Sequence, residues 1–413
     1  MFKKFLVGGC VRGQLMGTVV QDHDYVVVGS TPEEMLERGF EQVGSAFPVF
    51  LHPETREEHA LARIEAKVGQ GYHGFACEFG PHVTLEEDCY RRDLTINAIA
   101  FDPETQEYFD PYGGMKDIQE KYLRHVSHHF KDDPVRALRL ARFAARFENL
   151  GFTVHPDTKQ LVREMINNGE LDHLVPERVW EECTKAMKFN FTGFLRSLHD
   201  LGVLEHVLPE VAALDGVPQP AAYHPEIDTL IHTFMCVEQA EKMRLSPECL
   251  WAVLLHDLGK AVTPSEQWPK HLMHEKLGVP LVKDVCERLK VPNSFKELAL
   301  MVCEHHLDCH KVKEFKPSTL VKRFKTYGAY RFPERFKMFL KCCEADARGR
   351  TGFEDREYTQ GDYYMEMFEI AASVKFADLN KPNLEPQKIQ ESLDRLRTSK
   401  LTQKSNKTSK KIG

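Results

Sequence analysis

The sequence predicts an α+β protein in which a small mixed head precedes a long, all-helical body. Short apolar and β-branched runs at residues 4–7, 25–28, 49–51 and 59–62 predict strands in the first part of the chain. From about residue 116 to about residue 375, apolar residues recur with helical spacing instead. This change of period indicates a mixed region followed by a separate helical one.

One helix of the head has signals at both of its ends. Thr31 is a favourable N-cap, Pro32 is tolerated at the first turn, and Glu34 is placed to complete a capping box. Gly39 lies where the helix should stop. These signals predict a short helix that follows the second strand.

The helical body has one clear interruption and an unusual end. Residues 217–220 read Val-Pro-Gln-Pro and form the best internal boundary. Beyond them, residues 226–243 and 248–258 predict helices, the second so apolar that it should be buried. From about Thr398 the chain is polar and rich in lysine, which predicts a basic, disordered tail.

Composition restricts the class of protein. No apolar run approaches the roughly 18 residues of a membrane span. The 11 cysteines lack Cys-x-x-Cys spacing, so reduced thiols in a cytoplasm fit best. A net charge of −7 argues against non-specific nucleic-acid binding. It leaves open the docking of one RNA of defined shape through local basic patches. The sequence does not distinguish a monomer from a homodimer.

Two acidic residues beside a glycine turn predict a catalytic metal site. Asp22 and Asp24 alternate along an extended segment, so their side chains share one face roughly 6 to 7 Å apart. That arrangement suits a pair of metal ions about 3.5–4 Å apart, as phosphoryl or nucleotidyl transfer requires. Gly8 and Gly9 upstream let backbone amides approach a triphosphate closely. Together these features indicate a nucleotidyltransferase.

An arginine stripe opens the helical body. Pro134 is tolerated at the first turn of the helix. Four arginines then project within roughly a third of its circumference: Arg136, Arg139, Arg142 and Arg146. A solvated stripe is the ordinary explanation. Because four close guanidinium groups repel one another unless anions lie among them, phosphate or base contacts are the alternative.

A second set of polar residues lies in the C-terminal half. His256 and Asp257 follow the apolar helix, where unpaired polar groups would be costly. A hydrogen-bonded core histidine is the ordinary alternative for this pair. The pair is accompanied by His232, His274, His306 and Asp346, which makes a set of six residues, and surface placement is an equal alternative for His274, His306 and Asp346.

The order of the motifs resembles a known family. Residues 8–12, 22–24, 91–98 and 132–136 are similar to the ordered motifs of class II CCA-adding enzymes, tRNA nucleotidyltransferases of the DNA polymerase β-like superfamily. The resemblance runs essentially end to end. With the His-Asp pair, the chain resembles the bacterial form that carries a fused HD domain.

The resemblance implies that the head adds and repairs the 3′-terminal CCA of tRNA from CTP and ATP without a nucleic-acid template. Asp22 and Asp24 would be catalytic and hold Mg²⁺. Asp133 and Arg136 would pair with the base edge of the nucleotide. The full set of implied nucleotide-binding residues is Gly9, Arg12, Arg92, Asp133, Arg136, Arg139 and Arg142. Glu58 is either a third supporting carboxylate or a solvent-facing strand residue.

For the second half, the resemblance implies a metal-dependent phosphohydrolase that uses Ni²⁺ or another transition metal. His256 and Asp257 would be catalytic, and the six-residue set above would supply metal ligands. The implied activities are 2′,3′-cyclic phosphodiesterase, 2′-nucleotidase and phosphatase. The expected regions are a polymerase-β-like head with the start of the template helix (1–140), a helical neck (141–225), an HD domain (226–350) and a C-terminal helical segment with the tail (351–413).

Two departures from the family pattern keep alternatives open. Gly13 stands where the family usually has Asp, and Asp132 stands where Glu begins the template motif. The first removes a carboxylate near the glycine turn, and the second shortens a side chain by one methylene. A poly(A) polymerase, which shares the head motifs, and a non-catalytic tRNA-binding protein are the alternative functions.

Overall fold

A seven-stranded sheet organises the first half of the protein. The computed structural model describes residues 2–20, 22–43, 49–67, 75–379 and 385–412. The chain divides into two units, residues 1–207 and 208–413. The strands, all in the first unit, are β1 (Lys3–Val7), β2 (Asp24–Val28), β3 (Glu41–Val43), β4 (Val49–Leu51), β5 (Glu58–Leu61), β6 (Arg63–Lys67), β7 (Phe75–Phe79), β8 (Ala100–Asp102), β9 (Glu107–Phe109), β10 (Tyr122–Leu123) and β11 (Thr153–Val154).

The order of the main sheet is β3-β4-β5-β2-β1-β8-β9. Only β2 and β5 pair in parallel, and the other neighbours are antiparallel. The four strands predicted from sequence are confirmed as β1, β2, β4 and β5. Two-residue strands β10 and β11 pair in parallel beyond residue 116, where only helices were expected.

Helices complete the first unit: α1 (Gly9–Leu15), α2 (Pro32–Glu37), α3 (Leu85–Tyr90), α4 (Gly114–Glu120), α5 (Val135–Phe147), α6 (Pro156–Asn167), α7 (Pro176–Ala186), α8 (Phe191–Asp200) and α9 (Leu204–Val207). The predicted helix is α2, capped by Thr31, whose side chain accepts from the Glu34 amide. The predicted reciprocal hydrogen bond, from the Thr31 amide to the Glu34 side chain, is wrong, because the Glu34 carboxylate accepts from the Ser30 hydroxyl instead. Gly39 follows with φ +85°.

The regular elements among the described residues of the second unit are helices: α10 (Pro209–Ala212), α11 (Thr229–Lys242), α12 (Pro247–Leu254), α13 (His274–Arg288), α14 (Asn293–His310), α15 (Pro317–Thr326), α16 (Pro333–Arg348), α17 (Thr359–Ala372) and α18 (Pro386–Ile412). α12 packs against α11, α14 and α16. The predicted burial of its apolar run is confirmed, since Leu250–Leu255 is buried at every position. This buried helix delivers His256 and Asp257 to the interior.

The prediction of a disordered tail from Thr398 is wrong, because α18 continues to Ile412. Leu401 is fully buried. Lys404 forms an ion pair with Glu366 at 2.5 Å. Packing on α15 and α17 therefore holds a helix whose composition alone predicts exposure to solvent. None of the helices in the described part of the chain has the length and apolar character needed to cross a membrane.

Candidate active sites

A cleft of about 910 Å³ opens in the first unit. Its walls come from the β1–α1 turn, the starts of β2 and β5, the hairpin of β6 and β7, and the arginine-bearing faces of α5 and α7. All seven residues with an implied nucleotide-binding role line the cleft: Gly9, Arg12, Arg92, Asp133, Arg136, Arg139 and Arg142. Residues far apart in sequence therefore share one cavity.

Carboxylates from adjacent parallel strands lie at one side of this cleft. Asp24 begins β2 and is in register with Glu58, which begins β5, and both line the cleft. Asp22 lies just before β2, is exposed, and is not part of the cleft lining. Partial desolvation raises the pKa of Asp24, Arg92 opposes that shift, and the charge of Asp22 adds to it. The parallel pairing favours the interpretation of Glu58 as a supporting carboxylate.

These carboxylates are chemically available. Within the described part of the chain, Asp22, Asp24 and Glu58 form no ion pair or side-chain hydrogen bond. Their oxygens are the hard donors that Mg²⁺ prefers. The donor set thus fits a magnesium site, although the three groups do not converge into a compact cluster of ligand atoms among the described residues.

The glycine turn brings the backbone to the cleft. Gly8 has φ +70°, a conformation that suits glycine, and Gly9 begins α1. One turn later, Arg12 donates to the Asn97 side chain. Its guanidinium lies 5.1 Å from the centroid of the Phe143 ring. Burial, and then the charge of Arg146, lower the pKa of Arg12. An anion in the cleft would relieve this repulsion.

Asp88 anchors two arginines of the motif at residues 91–98. Its Oδ1 pairs with Arg91 Nη2 at 2.6 Å, and its Oδ2 pairs with Arg92 Nη2 at 2.9 Å. Burial of the carboxyl raises its pKa, but the two guanidinium groups outweigh burial and hold the pKa of Asp88 well below its ordinary value. Arg92 is therefore fixed in position before a nucleotide arrives.

The arginines of α5 are held in the same manner. Arg139 Nη2 lies 2.7 Å from Asp93 Oδ2, and Arg142 Nε lies 2.6 Å from Glu182 Oε2. Arg142 is only 7% exposed. The solvated-stripe explanation is therefore wrong for these positions, since the arginines face a cleft and are paired.

The two residues with an implied template role have partners as well. Asp133 accepts two hydrogen bonds from Arg178, at 2.8 and 2.7 Å. Arg136 donates to the backbone oxygens of His129 and Arg91, at 2.8 and 2.7 Å. Both side chains border the cleft. Each Nη of Arg136 has a second N–H and the Asp133 oxygens have further lone pairs, so both residues keep capacity to meet a base edge.

No role was predicted from sequence for Asp88, Asp93, Arg178 and Glu182. Arg178 and Glu182 are four residues apart on α7 and so share one face of that helix. That spacing was the available signal, but an isolated Arg-x-x-x-Glu is common on solvent-facing helices. Only the packing of α7 against α5 gives the pair its partners.

The two departures from the family pattern lie close to this cleft. Gly13 is buried in α1, and a Cβ there would lie 3.0 Å from a Val20 methyl carbon. Asp132 Oδ2 lies 2.6 Å from His129 Nδ1. The shorter acid at 132 is thus used to fix His129, whose carbonyl in turn receives Arg136.

The second unit gathers all six predicted metal-ligand residues in its interior. One group contains His232, His256 and Asp346 together with Cys236, and another contains Asp257, His274 and His306. Within each group the ligand atoms lie within 4.8 Å of one another. Surface placement is therefore wrong for His274, His306 and Asp346, which are buried.

Asp257 connects the two groups through its separate oxygens. Oδ2 lies 3.0 Å from His256 Nε2 and 3.7 Å from His232 Nε2. Oδ1 lies 3.2 Å from His274 Nε2 and 3.7 Å from His306 Nε2. A carboxylate with one oxygen toward each group can bridge two ions.

The four histidines share one hydrogen-bond pattern. The Nδ1 atoms of His232, His256, His274 and His306 each lie 2.7 to 3.2 Å from a backbone carbonyl oxygen. A carbonyl can only accept, so Nδ1 carries the proton and the Nε2 lone pair faces inward. Metal-binding histidines are oriented in this way. Burial lowers the pKa of His306 to about 3, which keeps the ring neutral.

Two atoms at the centre lack hydrogen-bond partners. His256 Nε2 and Asp257 Oδ1 are buried and accept or donate no hydrogen bond among the described residues. A buried polar atom that is left without a hydrogen-bond partner costs about 1–3 kcal/mol. A coordinated cation would satisfy both. The mixture of imidazole and carboxylate, with a thiol nearby, fits a borderline transition metal better than Mg²⁺.

Several surrounding residues were not foreseen. Lys260 Nζ lies 2.6 Å from Asp257 Oδ2, and His310 Nε2 lies 2.7 Å from Asp346 Oδ2. Gly259 lies in a close backbone contact, since a Cβ there would lie 1.9 Å from the His274 carbonyl oxygen. The glycine allows residues 258–262 to contact α13 closely.

Comparison with protein families gives three matches along the chain. Residues 4–124 match the poly A polymerase head domain, residues 151–214 match the probable RNA and SrmB-binding site of polymerase A, and residues 229–329 match the HD domain. A protein named Multifunctional CCA protein from Acinetobacter baumannii (strain AYE) is 51% identical over 403 residues, covering 97% of each chain. Another with that name from Vibrio parahaemolyticus is 54% identical over 371 residues, covering 90% of this chain and 91% of its own.

Solved structures share the fold. A CCA-adding enzyme in an apo form has a TM-score of 0.64 and 20% identity, over 97% of this chain and 88% of its own. The Thermotoga maritima CCA-adding enzyme complexed with tRNA-CCA has a TM-score of 0.61 and 18% identity, over 97% of this chain and 87% of its own. At this identity the likeness supports the α+β fold alone, and it confirms the fold class expected from sequence.

Proposed function

The chain belongs to the multifunctional CCA proteins, and we propose on that premise that it builds and repairs the 3′-terminal CCA of tRNA from CTP and ATP without a nucleic-acid template. The observation that carries the proposal is the cleft of the first unit, where unpaired carboxylates face a set of pre-positioned guanidinium groups. Carboxylates hold divalent cations and guanidinium groups hold phosphates, so the two together suit a nucleoside triphosphate.

In the proposed reaction, Asp22 and Asp24 hold Mg²⁺ and Glu58 supports them from the adjacent strand. Mg²⁺, when bound, lowers the pKa of the attacking 3′-hydroxyl and neutralises the leaving pyrophosphate. Arg12 and Arg92 neutralise triphosphate oxygens. The 3′-oxygen bonds to the α-phosphorus, the bond to pyrophosphate breaks, and the hydroxyl proton leaves to solvent.

Base selection is proposed for Asp133 and Arg136. Arg136 donates and Asp133 accepts, and a cytosine edge and an adenine edge each offer an N–H donor and an acceptor. Arg178 and the two backbone carbonyls keep these side chains at fixed positions. Arg139 and Arg142 complete the positive wall of the nucleotide site.

Purified protein with Mg²⁺, labelled CTP and ATP, and a tRNA lacking CCA tests this function. Asp22→Ala and Asp24→Ala should each abolish incorporation, and Glu58→Ala should lower it. Asp102→Ala, at a partly exposed aspartate at the end of β8 and outside the cleft lining, is the matched control. Long A tracts made without CTP would favour a poly(A) polymerase, and tight tRNA binding without incorporation would favour a non-catalytic binding protein.

For the second unit we infer a metal-dependent phosphohydrolase that acts on phosphate at RNA or nucleotide ends, with 2′,3′-cyclic phosphodiesterase, 2′-nucleotidase and phosphatase activities. The two ligand groups joined by Asp257 support it. Ni²⁺ or a similar ion would activate water there. In cleavage of a cyclic phosphate, the water oxygen bonds to phosphorus, one ribose P–O bond breaks, and that ribose oxygen takes up a proton.

Hydrolysis of adenosine 2′,3′-cyclic phosphate with added Ni²⁺ tests this second activity. Asp257→Ala should abolish hydrolysis and leave CCA addition intact, because it lies in the other unit. Asp284→Ala, on α13 and away from both ligand groups, is the control. Equal hydrolysis by Asp257→Ala and the wild type would contradict the assignment.

A further inference from the structure

A second cavity of about 270 Å³ lies in the second unit, and the reactions proposed above leave it without a role. It is formed by the end of α16, the segment that follows, and the start of α17. Three arginines line it, Arg348, Arg350 and Arg356, against a single carboxylate, Glu357. The cavity is therefore strongly positive.

The three guanidinium groups differ in how far they are paired. Arg348 Nη2 lies 3.0 Å from Glu344 Oε1. Arg350 Nη2 lies a long 3.4 Å from Asp346 Oδ1, and its buried Nε has no hydrogen-bond partner among the described residues. Arg356 stacks 5.2 Å from the centroid of the Phe353 ring and has no carboxylate partner in the described part of the chain. Two arginines thus retain donors for an anion.

The cavity adjoins the ligand groups of the proposed hydrolase site. His310 lines the cavity, and its Nε2 lies 2.7 Å from Oδ2 of the metal-ligand residue Asp346. Its Nδ1 lies 2.9 Å from the hydroxyl of Tyr358, another lining residue. One layer of side chains therefore separates the positive cavity from the place where a phosphate would be hydrolysed.

We propose that this cavity binds the phosphodiester adjacent to the reacting terminal phosphate, so that the hydrolase site prefers RNA 3′ ends to free mononucleotides. The inference rests on the proposed hydrolase function and names its substrate class. A mononucleotide carries no second phosphate, whereas every RNA end does. Guanidinium groups bind phosphate oxygens with paired, charge-assisted hydrogen bonds. Arg356 and Arg350 are the residues proposed to bind this phosphodiester.

Two substrates isolate the contribution of the second phosphate. One is adenosine 2′,3′-cyclic phosphate, and the other is the dinucleotide ApA that ends in the same cyclic phosphate. With the full chain and Ni²⁺, kcat/KM should be about tenfold higher for the dinucleotide, mainly through a lower KM. Arg356→Ala should lower that ratio toward one, and Arg356→Lys should restore it in part. Arg331→Ala, at an exposed arginine that stacks on Phe332 outside the cavity, should keep the wild-type ratio.

A ratio near one in the wild type, or a ratio unchanged by Arg356→Ala, would overturn the proposal. Replacing the internucleotide phosphate with a neutral methylphosphonate should also remove the preference.

Calorimetric binding of the 3′-phosphorylated dinucleotide ApAp, without metal, separates this inference from the hydrolase function. If the wild type hydrolyses neither substrate, the hydrolase assignment fails, yet binding weakened about tenfold in Arg356→Ala still supports the cavity. Equal binding by both proteins refutes it.

Discussion

Arg178 donates two parallel hydrogen bonds to the carboxylate of Asp133, with Nη1–Oδ1 and Nη2–Oδ2 distances of 2.8 and 2.7 Å. The pair joins α7 to the segment just before α5 and fixes one of the two side chains proposed to select the base. A lysine cannot reproduce this planar, paired contact. The geometry therefore assigns Arg178 a positioning role in base selection.

Arg178→Lys should lower kcat/KM for both CTP and ATP by about 10- to 100-fold, because charge-assisted hydrogen bonds are worth about 1.5–3 kcal/mol. Incorporation of UTP or GTP relative to CTP should rise. Single-nucleotide incorporation kinetics measure both quantities. Arg163→Ala, at an exposed arginine of α6, serves as the control. Unchanged discrimination in Arg178→Lys would contradict the positioning role.

Asp88→Asn should destabilise the first unit. The carboxylate is fully buried, and its loss leaves Arg91 and Arg92, which are 14% and 18% exposed, without their shared partner. Breaking a buried pair from one side costs about 3–5 kcal/mol. Urea unfolding followed by circular dichroism measures the change, with Asp102→Asn, at a partly exposed residue, as the control. A loss of under about 1 kcal/mol would show that the two arginines find other partners.

Acid should weaken the first unit through the same carboxylates. Nearby guanidinium groups hold the pKa of Asp88 and the pKa of Asp93 below the ordinary value, despite burial. Groups whose pKa is depressed by folding stabilise the native state above the unfolded-state pKa, near 3.9, and that stability is lost as pH falls through the folded-state pKa. The free energy of unfolding should therefore decline below about pH 4. Asp88→Asn and Asp93→Asn should each flatten this decline.

The sequence predicted which residues lie together in these sites better than it predicted their supporting contacts. Asp24, Arg92 and Asp133 belong to short sequence motifs, and all three line the cleft. Asp88 and Glu182 act only through partners brought together by packing, which no local pattern reveals. The tail was misjudged for the same reason: Leu401 is buried by tertiary contacts that its lysine-rich neighbours conceal.

The HD site should bind two transition-metal ions per chain, because the two oxygens of Asp257 face different ligand groups. Calorimetric titration of metal-free protein with Ni²⁺ should give a stoichiometry of about two. His306→Ala should leave about one ion, since it removes a ligand from one group only. His305→Ala, one residue away on α14, should keep two. A single ion in the wild type would show that one group is structural.

Gly259→Ala should disrupt the same site without changing a ligand. A Cβ at position 259 would lie 1.9 Å from the His274 carbonyl oxygen and 2.6 Å from the Gly278 nitrogen, both backbone atoms that cannot move aside cheaply. The second unit should lose several degrees of thermal stability and most of its Ni²⁺ affinity. Gly361→Ala, whose Cβ would lie 3.8 Å from the ring of Tyr358, an ordinary van der Waals contact, is the matched control. Wild-type metal binding in Gly259→Ala would refute the close-packing argument.

Sequencing the 3′ ends of a tRNA transcript that lacks CCA, after incubation with all four nucleoside triphosphates and Mg²⁺, tests the central claim most directly. The cleft of the first unit should add cytidine, cytidine and adenosine and then stop. Untemplated tracts of one nucleotide, or transcripts left at their original length, would contradict it.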